Sequence, residues 1–237
     1  INRLHPELRK PYARFPTLPV HNRFLYGVIS FLMRNLMSNK IKPCPAVLIE
    51  DRPLAHCNVR IYRPEKNASG AGLLWMHGGG YIIGNTGLND GECSALARDL
   101  GLVVVSVDYR LAPKHPFPAA LDDCFDAWKF MLDPAQQLGI DPARLAILGQ
   151  SAGGGLAASL AHRIADAGGT QPAAQVLMYP MIDDRTAART GLDQLAHRFW
   201  NNRNNRAAWG WYLGQAPGMD SAPPYAVAAR RQDLSGL

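Results

Sequence analysis

Cysteine is scarce and poorly placed for covalent or metal work. The four present, Cys44, Cys57, Cys93 and Cys124, form no C-x-x-C pair and show no metal-ligand spacing. A disulfide framework and a structural zinc site therefore drop out, and four reduced thiols fit a cytoplasmic protein. Long hydrophobic runs are missing as well. The longest early one, Phe24 to Met33, is bracketed by Arg23 and Arg34. It falls well short of the roughly 20 residues that cross a bilayer, so neither stable membrane insertion nor a signal peptide is expected. The chain starts at Ile1 and not at methionine, which leaves room for a leader removed upstream. Acidic residues are outnumbered, 19 against 25 Lys and Arg, for a formal net charge of +6. The basic residues are scattered, densest around Arg198, Arg203 and Arg206, and no aromatic-interleaved basic motif accompanies them, so nucleic acid is not an expected partner. There is no internal repeat and no low-complexity stretch. With 47% hydrophobic and 19% charged residues, wholesale disorder is excluded.

What is abundant is glycine, 22 residues, and it is concentrated where it matters. Gly149-Gln150-Ser151-Ala152-Gly153 spells G-x-S-x-G. An apolar run from Arg144 to Leu148 leads in, and a small-residue helical pattern from Leu156 to Ile164 leads out. Strand, sharp turn and helix with a serine at the apex make a nucleophile elbow. The flanking glycines keep side chains away from a strained turn, and the helix N-terminus faces the serine, where negative charge would develop. Alone, the motif is equally a glycine-rich turn closing a strand–helix unit. A second stretch changes the balance. His77-Gly78-Gly79-Gly80-Tyr81 follows the apolar run Leu73 to Met76. Three consecutive glycines lose much backbone entropy on folding and make sense where bare N–H groups approach a ligand. For acyl transfer, N–H groups of Gly78 and Gly79 with that of Ala152 would form an oxyanion hole, with Gly80 letting the loop turn.

Around these motifs the pattern is α/β. Ala46 to Glu50 and Cys57 to Tyr62 read as strands separated by an Asp-Arg-Pro turn; Leu102 to Val107 and Ala174 to Tyr179 are further strands. Pro118 to Leu132 reads as a helix with Leu121, Phe125, Trp128 and Leu132 on one face. Strands alternating with helices predict a doubly wound, mostly parallel sheet. Residues 1–40 stand apart. Prolines 6, 11, 16 and 19 interrupt the start, and Phe24, Leu25, Val28, Ile29, Leu32 and Leu36 then recur at helical spacing. That helix either packs on the core or acts as a mobile lid. Asp183 to Gly214 predicts one or two helices turning Trp200, Trp209, Trp211 and Tyr212 inward, more for core packing than for lining a pocket.

The stretch Asp108 to Asp123, D-Y-R-L-A-P-K-H-P-F-P-A-A-L-D-D, completes a set. H-G-G-G, D-Y-R-L-A-P-x-x-P-F-P-A-A and G-x-S-A-G-G in this order resemble the hormone-sensitive-lipase-like branch of the α/β-hydrolase superfamily. The resemblance runs from about Pro43 to about Asp184, through Y-P-x-I-D at Tyr179 to Asp183. It implies an α/β-hydrolase core over residues 41–237, an N-terminal helical cap over residues 1–40, and serine carboxylesterase activity on short- to medium-chain esters without metal or organic cofactor. One departure lies in the elbow. Gln150 stands where that branch usually carries an acid that hydrogen-bonds near the glycine loop. An amide can still do so, and a shifted loop or pH profile is the expected consequence.

A serine hydroxyl needs an imidazole to take its proton and a carboxylate to orient that imidazole. In this superfamily the order is serine, acid, histidine. After Ser151 come only His162, on the helix leaving the elbow, and His197, before any further strand. The resemblance puts the acid and the histidine after two later strands, so both are expected beyond Leu237, and the core is expected to lack its last strands. The 237 residues alone should then hydrolyse p-nitrophenyl butyrate orders of magnitude more slowly than the complete protein. The Ala174 to Tyr179 strand would be an open sheet edge, which a homodimer is one way to cover. The rival reading is a catalytically inactive ligand-binding protein on the same fold, against which the joint presence of glycine loop and elbow weighs.

Overall fold

The computed structural model describes residues 4–14, 18–33, 44–195 and 197–236. Six strands form one sheet: β1 (Val47–Pro53), β2 (Asn58–Pro64), β3 (Gly72–Met76), β4 (Val103–Asp108), β5 (Leu145–Gln150) and β6 (Ala174–Met178). Their spatial order is β1-β2-β4-β3-β5-β6. The first two pairings, β1 with β2 and β2 with β4, are antiparallel; the remaining three are parallel. Among the described residues seven α-helices accompany them: α1 (Pro6–Arg14), α2 (Arg23–Leu32), α3 (Asp90–Leu100), α4 (Ala119–Leu132), α5 (Ala152–Ala167), α6 (Arg185–Ala188) and α7 (Asn202–Leu213).

Strand alternation sorts the core onto both faces. Leu74, Met76, Val105, Val107 and Ile147 face α4 and α5, where they meet Leu121, Trp128, Leu156 and Leu160. Leu73, Trp75, Val104 and Leu148 face the other way, onto Cys93 and Ala97 of α3. Helices on both faces of a mostly parallel sheet are the doubly wound arrangement the sequence predicts. The α3 helix is further tied to β2, because the Asp90 carboxylate accepts from the Tyr62 hydroxyl at 2.6 Å and from Arg60 at 3.0 Å.

The Asp-Arg-Pro segment is not the turn between the first two strands. Asp51, Arg52 and Pro53 belong to β1, paired with Arg60, Val59 and Asn58, and the reversal falls at Leu54 to Cys57. A proline is tolerated there because it ends an edge strand, where no neighbour needs its missing N–H. At the opposite edge β6 pairs with β5, and among the described residues no strand pairs on its outer side. Val176 is 43% exposed there, as expected of an open edge.

The periodicity of Asn22 to Met37 does not translate into one buried face. Asn22 caps α2 by accepting from the amides of Phe24 and Leu25. The helix then turns Tyr26, Ile29 and Met33 inward. Phe24, Leu25, Val28 and Leu32 point outward, and Leu36 lies outside the described residues. The helix is apolar nearly all round, so its pattern alone cannot choose a face. Tyr26 decides, because its hydroxyl reaches the carbonyl oxygens of Ile82 at 2.9 Å and Ala112 at 3.1 Å.

Candidate active site

Strand β5 ends at Gln150, and the chain reverses through Ser151 directly into α5. Ser151 sits at φ 53°, ψ −113°. A non-glycine residue in such a region costs on the order of 1–3 kcal/mol and persists only where its surroundings over-determine it. Here they do. The Ser151 N–H donates to the Met178 carbonyl at 2.9 Å, and the Ser151 carbonyl accepts from Gly155 at 3.1 Å and Met181 at 2.8 Å. The motif glycines answer to close packing. Any side chain at Gly153 would run into the backbone of Met76 and His77, and one at Gly149 into the backbone of Gly153. Thus the first turn of α5 crosses tightly over the end of β3, and the serine is left at the tip.

The glycine loop leaves β3 on the neighbouring side. A β-carbon at Gly78 would lie 3.7 Å from the Ser151 β-carbon, so loop and elbow are in contact. The loop is fastened by its carbonyls. His77 O accepts from the Tyr109 hydroxyl at 2.8 Å, Gly78 O lies 2.7 Å from His77 Nδ1, and Gly79 O accepts from Ile82 and Ile83. Tyr81 O accepts from Ala112 at 3.0 Å. The amides of Gly78, Gly79, Gly80 and Ala152, by contrast, donate to no other described residue. Ser151, Gly78, Gly79 and Gly80 line a single cavity of about 710 Å³. Leu18, Met33, Ile83, Leu192, Trp200 and Trp209 contribute apolar wall to it.

The D-Y-R-L-A-P stretch, for which the sequence offers no chemical rationale, is the fixture for this loop. The Tyr109 ring stacks on buried His77 with centroids 4.1 Å apart, while its hydroxyl holds the His77 carbonyl. Burial pushes the Tyr109 and Tyr81 phenols well above the ordinary range, so both remain protonated donors. Tyr81 uses its hydroxyl on Met181 O at 2.8 Å and stacks on Tyr212 at 4.0 Å. Arg110 is clamped by Asp123, which is fully buried. The carboxylate accepts from the guanidinium at 2.8 and 3.0 Å and from the Arg110 amide at 2.8 Å. None of this could be read from spacing, because each partner comes from a different element.

Gln150 and Asn89 both line the cavity, and the Gln150 side-chain oxygen accepts from the Asn89 amide at 3.3 Å. Asn89 also donates to Glu92 at 3.0 Å. The amide at position 150 thus does make a hydrogen bond beside the glycine loop. Trp209 and Tyr212 of α7 are core residues, as expected, but Trp209 and Trp200 also form cavity wall. His162 is buried on α5 and lines a different, smaller cavity with Asp166 and Tyr225. His197 borders the Ser151 cavity, a placement its position in the chain did not suggest. No described residue hydrogen-bonds the Ser151 hydroxyl, and among the described residues no three His, Cys, Asp or Glu side chains gather to hold a metal ion. The four cysteines are free. Burial pushes the Cys57 thiol up to about 12 and those of Cys93 and Cys124 well above their usual value, so these three are not nucleophiles. Among the described residues no helix is long and apolar enough to cross a membrane.

Residues 73–237 match the family model for the alpha/beta hydrolase fold. The chain is similar to an ethyl acetate hydrolase of Pseudomonas putida, 46% identical over 129 residues that make up 53% of this chain and 41% of that one. It is 33% identical over 203 residues to the carboxylesterase NlhH of Mycobacterium tuberculosis, covering 81% of this chain and 63% of the relative. Among solved structures, a bacterial heroin esterase superposes with a TM-score of 0.88 at 33% identity, covering 99% of this chain and 77% of that one. The chain therefore spans less than two thirds of the length of these two sequence relatives. The family match over residues 73–237 and these similarities to esterases place this chain in the α/β-hydrolase fold family, in its hormone-sensitive-lipase-like branch.

Proposed function

We propose that the protein carrying this chain is a serine carboxylesterase. The observation that carries this reading is the pairing of a strained serine with unclaimed amides on one cavity wall. Ser151 attacks the ester carbonyl. The amides of Gly78, Gly79 and Ala152 take up the oxyanion, aided by the N-terminal dipole of α5, and the acyl-enzyme is then hydrolysed by water. Leu18, between α1 and α2, and Met33, at the end of α2, line the same cavity, which suits a cap. The imidazole that accepts the Ser151 proton and the acid that orients it lie, on this reading, outside the described residues. A fluorophosphonate probe tests the proposal on the complete protein. It should label the protein and fail to label Ser151→Ala. No labelling of either would favour the inactive, ligand-binding alternative.

His197 provides a sharper check. If the proton acceptor lies elsewhere, His197→Ala should leave kcat within about threefold, whereas loss of a true general base costs roughly 10²–10⁴-fold or more. A loss of that size would make His197 the base and overturn this part of the proposal.

The preference for short to medium acyl chains rests on the cavity wall. The Trp200 ring packs directly on Gly80, leaving no room there for even a β-carbon. It therefore borders the space just beyond the loop amides. Trp200→Ala should open that space and move selectivity toward the larger substrate by about tenfold, the scale at which an apolar pocket discriminates a methylene or two. A p-nitrophenyl acyl series reads one arm of the ester and an alkyl acetate series the other. If kcat/KM ratios stay put in both, Trp200 does not bound the substrate.

A further inference from the structure

The link between α1 and α2 runs along the cavity, and one side chain holds it there. Leu18 lines the cavity that Ser151 shares, Val20 is fully buried in the main core, and neither belongs to a helix or strand. A loop laid against the interior needs partners for its backbone groups. Asn204, in the first turn of α7 and wholly buried, supplies them. Its Nδ2 donates to the Leu18 carbonyl at 2.6 Å. Its Oδ1 accepts from the His21 amide at 3.2 Å and lies 2.8 Å from His21 Nδ1. The way round of this side-chain amide is dictated by its partners. A carbonyl only accepts and a backbone N–H only donates, so Nδ2 must face Leu18 and Oδ1 must face His21. The His21 ring nitrogen is then a donor as well.

The other end of this clamp is firm. The Asn204 backbone N–H donates to Asn201 Oδ1 at 2.9 Å. Asn202 donates through Nδ2 to the Arg189 carbonyl at 3.0 Å and to Asp193 at 2.7 Å, and Arg206 pairs with the same Asp193 carboxylate at 2.8 Å. Asn201, Asn202, Asn205 and Trp209 line the cavity, whereas Asn204 stands behind them and does not. The α7 helix therefore forms one stretch of wall itself and fixes another through Asn204. Leu18 also precedes Pro19, which confines the Leu18 backbone to extended conformations. With its carbonyl pinned as well, the Leu18 side chain has little room to withdraw from the cavity.

We propose that Asn204 is a positioning residue for substrate selection: by pinning the Leu18 carbonyl it keeps the Leu18 side chain in the cavity wall and so limits the size of ester admitted. The proposal rests on the esterase reading. It is tested on the complete protein with p-nitrophenyl esters from acetate to octanoate, and with alkyl acetates for the other arm of the ester. Asn204→Ala should raise the kcat/KM ratio of the longer ester over the shortest by about tenfold in one of the two series, and Leu18→Ala should move the same ratio in the same direction. Once the clamp is gone the leucine no longer bounds the cavity, so the double variant should shift the ratio no further than the larger single effect. Should Asn204→Ala fail to fold, Asn204→Asp keeps both His21 contacts but sets an oxygen against the Leu18 carbonyl, and it should give the same shift. A role in stability alone would lower turnover of every ester equally. An unchanged ratio in both series therefore overturns the proposal, and so does a double variant whose shift is the product of the two single ones. A complete wild-type protein that hydrolyses none of these esters would instead overturn the esterase reading, and this one with it.

Discussion

Ser151→Ala is expected to lower ester hydrolysis by the complete protein by about 10⁴–10⁶-fold in kcat, with KM little changed, the size of loss seen when a triad nucleophile is removed. The expectation follows from position. The hydroxyl stands at the tip of the elbow, and no other hydroxyl or thiol replaces it, because burial keeps Cys57, Cys93 and Cys124 protonated. Alanine at φ 53° is strained as serine is, so the melting temperature should hardly move. Ser151→Gly separates chemistry from strain. It should be equally inactive yet more stable, by roughly 1 kcal/mol or more, because glycine adopts that conformation without the penalty. Steady-state kinetics and thermal denaturation on the three proteins decide the matter. An alanine variant that keeps a tenth of the activity would remove Ser151 from the reaction.

The second large effect is on stability. Asp123→Ala should destabilise the fold by about 3–5 kcal/mol, the usual cost of removing one partner from a buried ion pair. The Asp123 carboxylate is wholly buried and serves both the guanidinium and the backbone amide of Arg110. Arg110 is about a quarter exposed, so water relieves part of the loss and the lower end of that range is expected. For a domain of this size the melting temperature should fall by roughly 6–12 °C. Asp123→Asn keeps an acceptor for the amide and should cost less than half as much. Activity should fall along with stability, because Arg110 adjoins Tyr109, whose hydroxyl holds the His77 carbonyl at the root of the glycine loop. Equal melting temperatures for wild type and Asp123→Ala would show that this clamp does not hold the loop.

The parts of this molecule that were legible beforehand are those dictated locally. Val103 to Val107 is buried and, Ser106 apart, β-branched, so its strand announces itself. G-x-S-x-G between a strand and a helix still admits a plain turn, and it is the three glycines after His77 that ask for a ligand. What escaped the sequence depends on distant partners. Tyr109 and Arg110 act on His77 and Asp123, which lie in other elements, and nothing in their own neighbourhood marks them. Trp200 gains a role only because Gly80 is bare beneath it. The choice of face on α2 turned on one hydroxyl and two carbonyl oxygens, which no periodicity contains. The Asp-Arg-Pro segment misled because proline usually breaks a strand, and here it merely finishes one.

The serine has no independent footing. Its amide hangs from the last residue of β6, and its carbonyl is gripped by the loop that follows that strand. The open side of the same strand is therefore mechanically adjacent to Ser151. A chain lying along that margin would bear on the elbow through two hydrogen bonds, and through them on the position of the Ser151 hydroxyl.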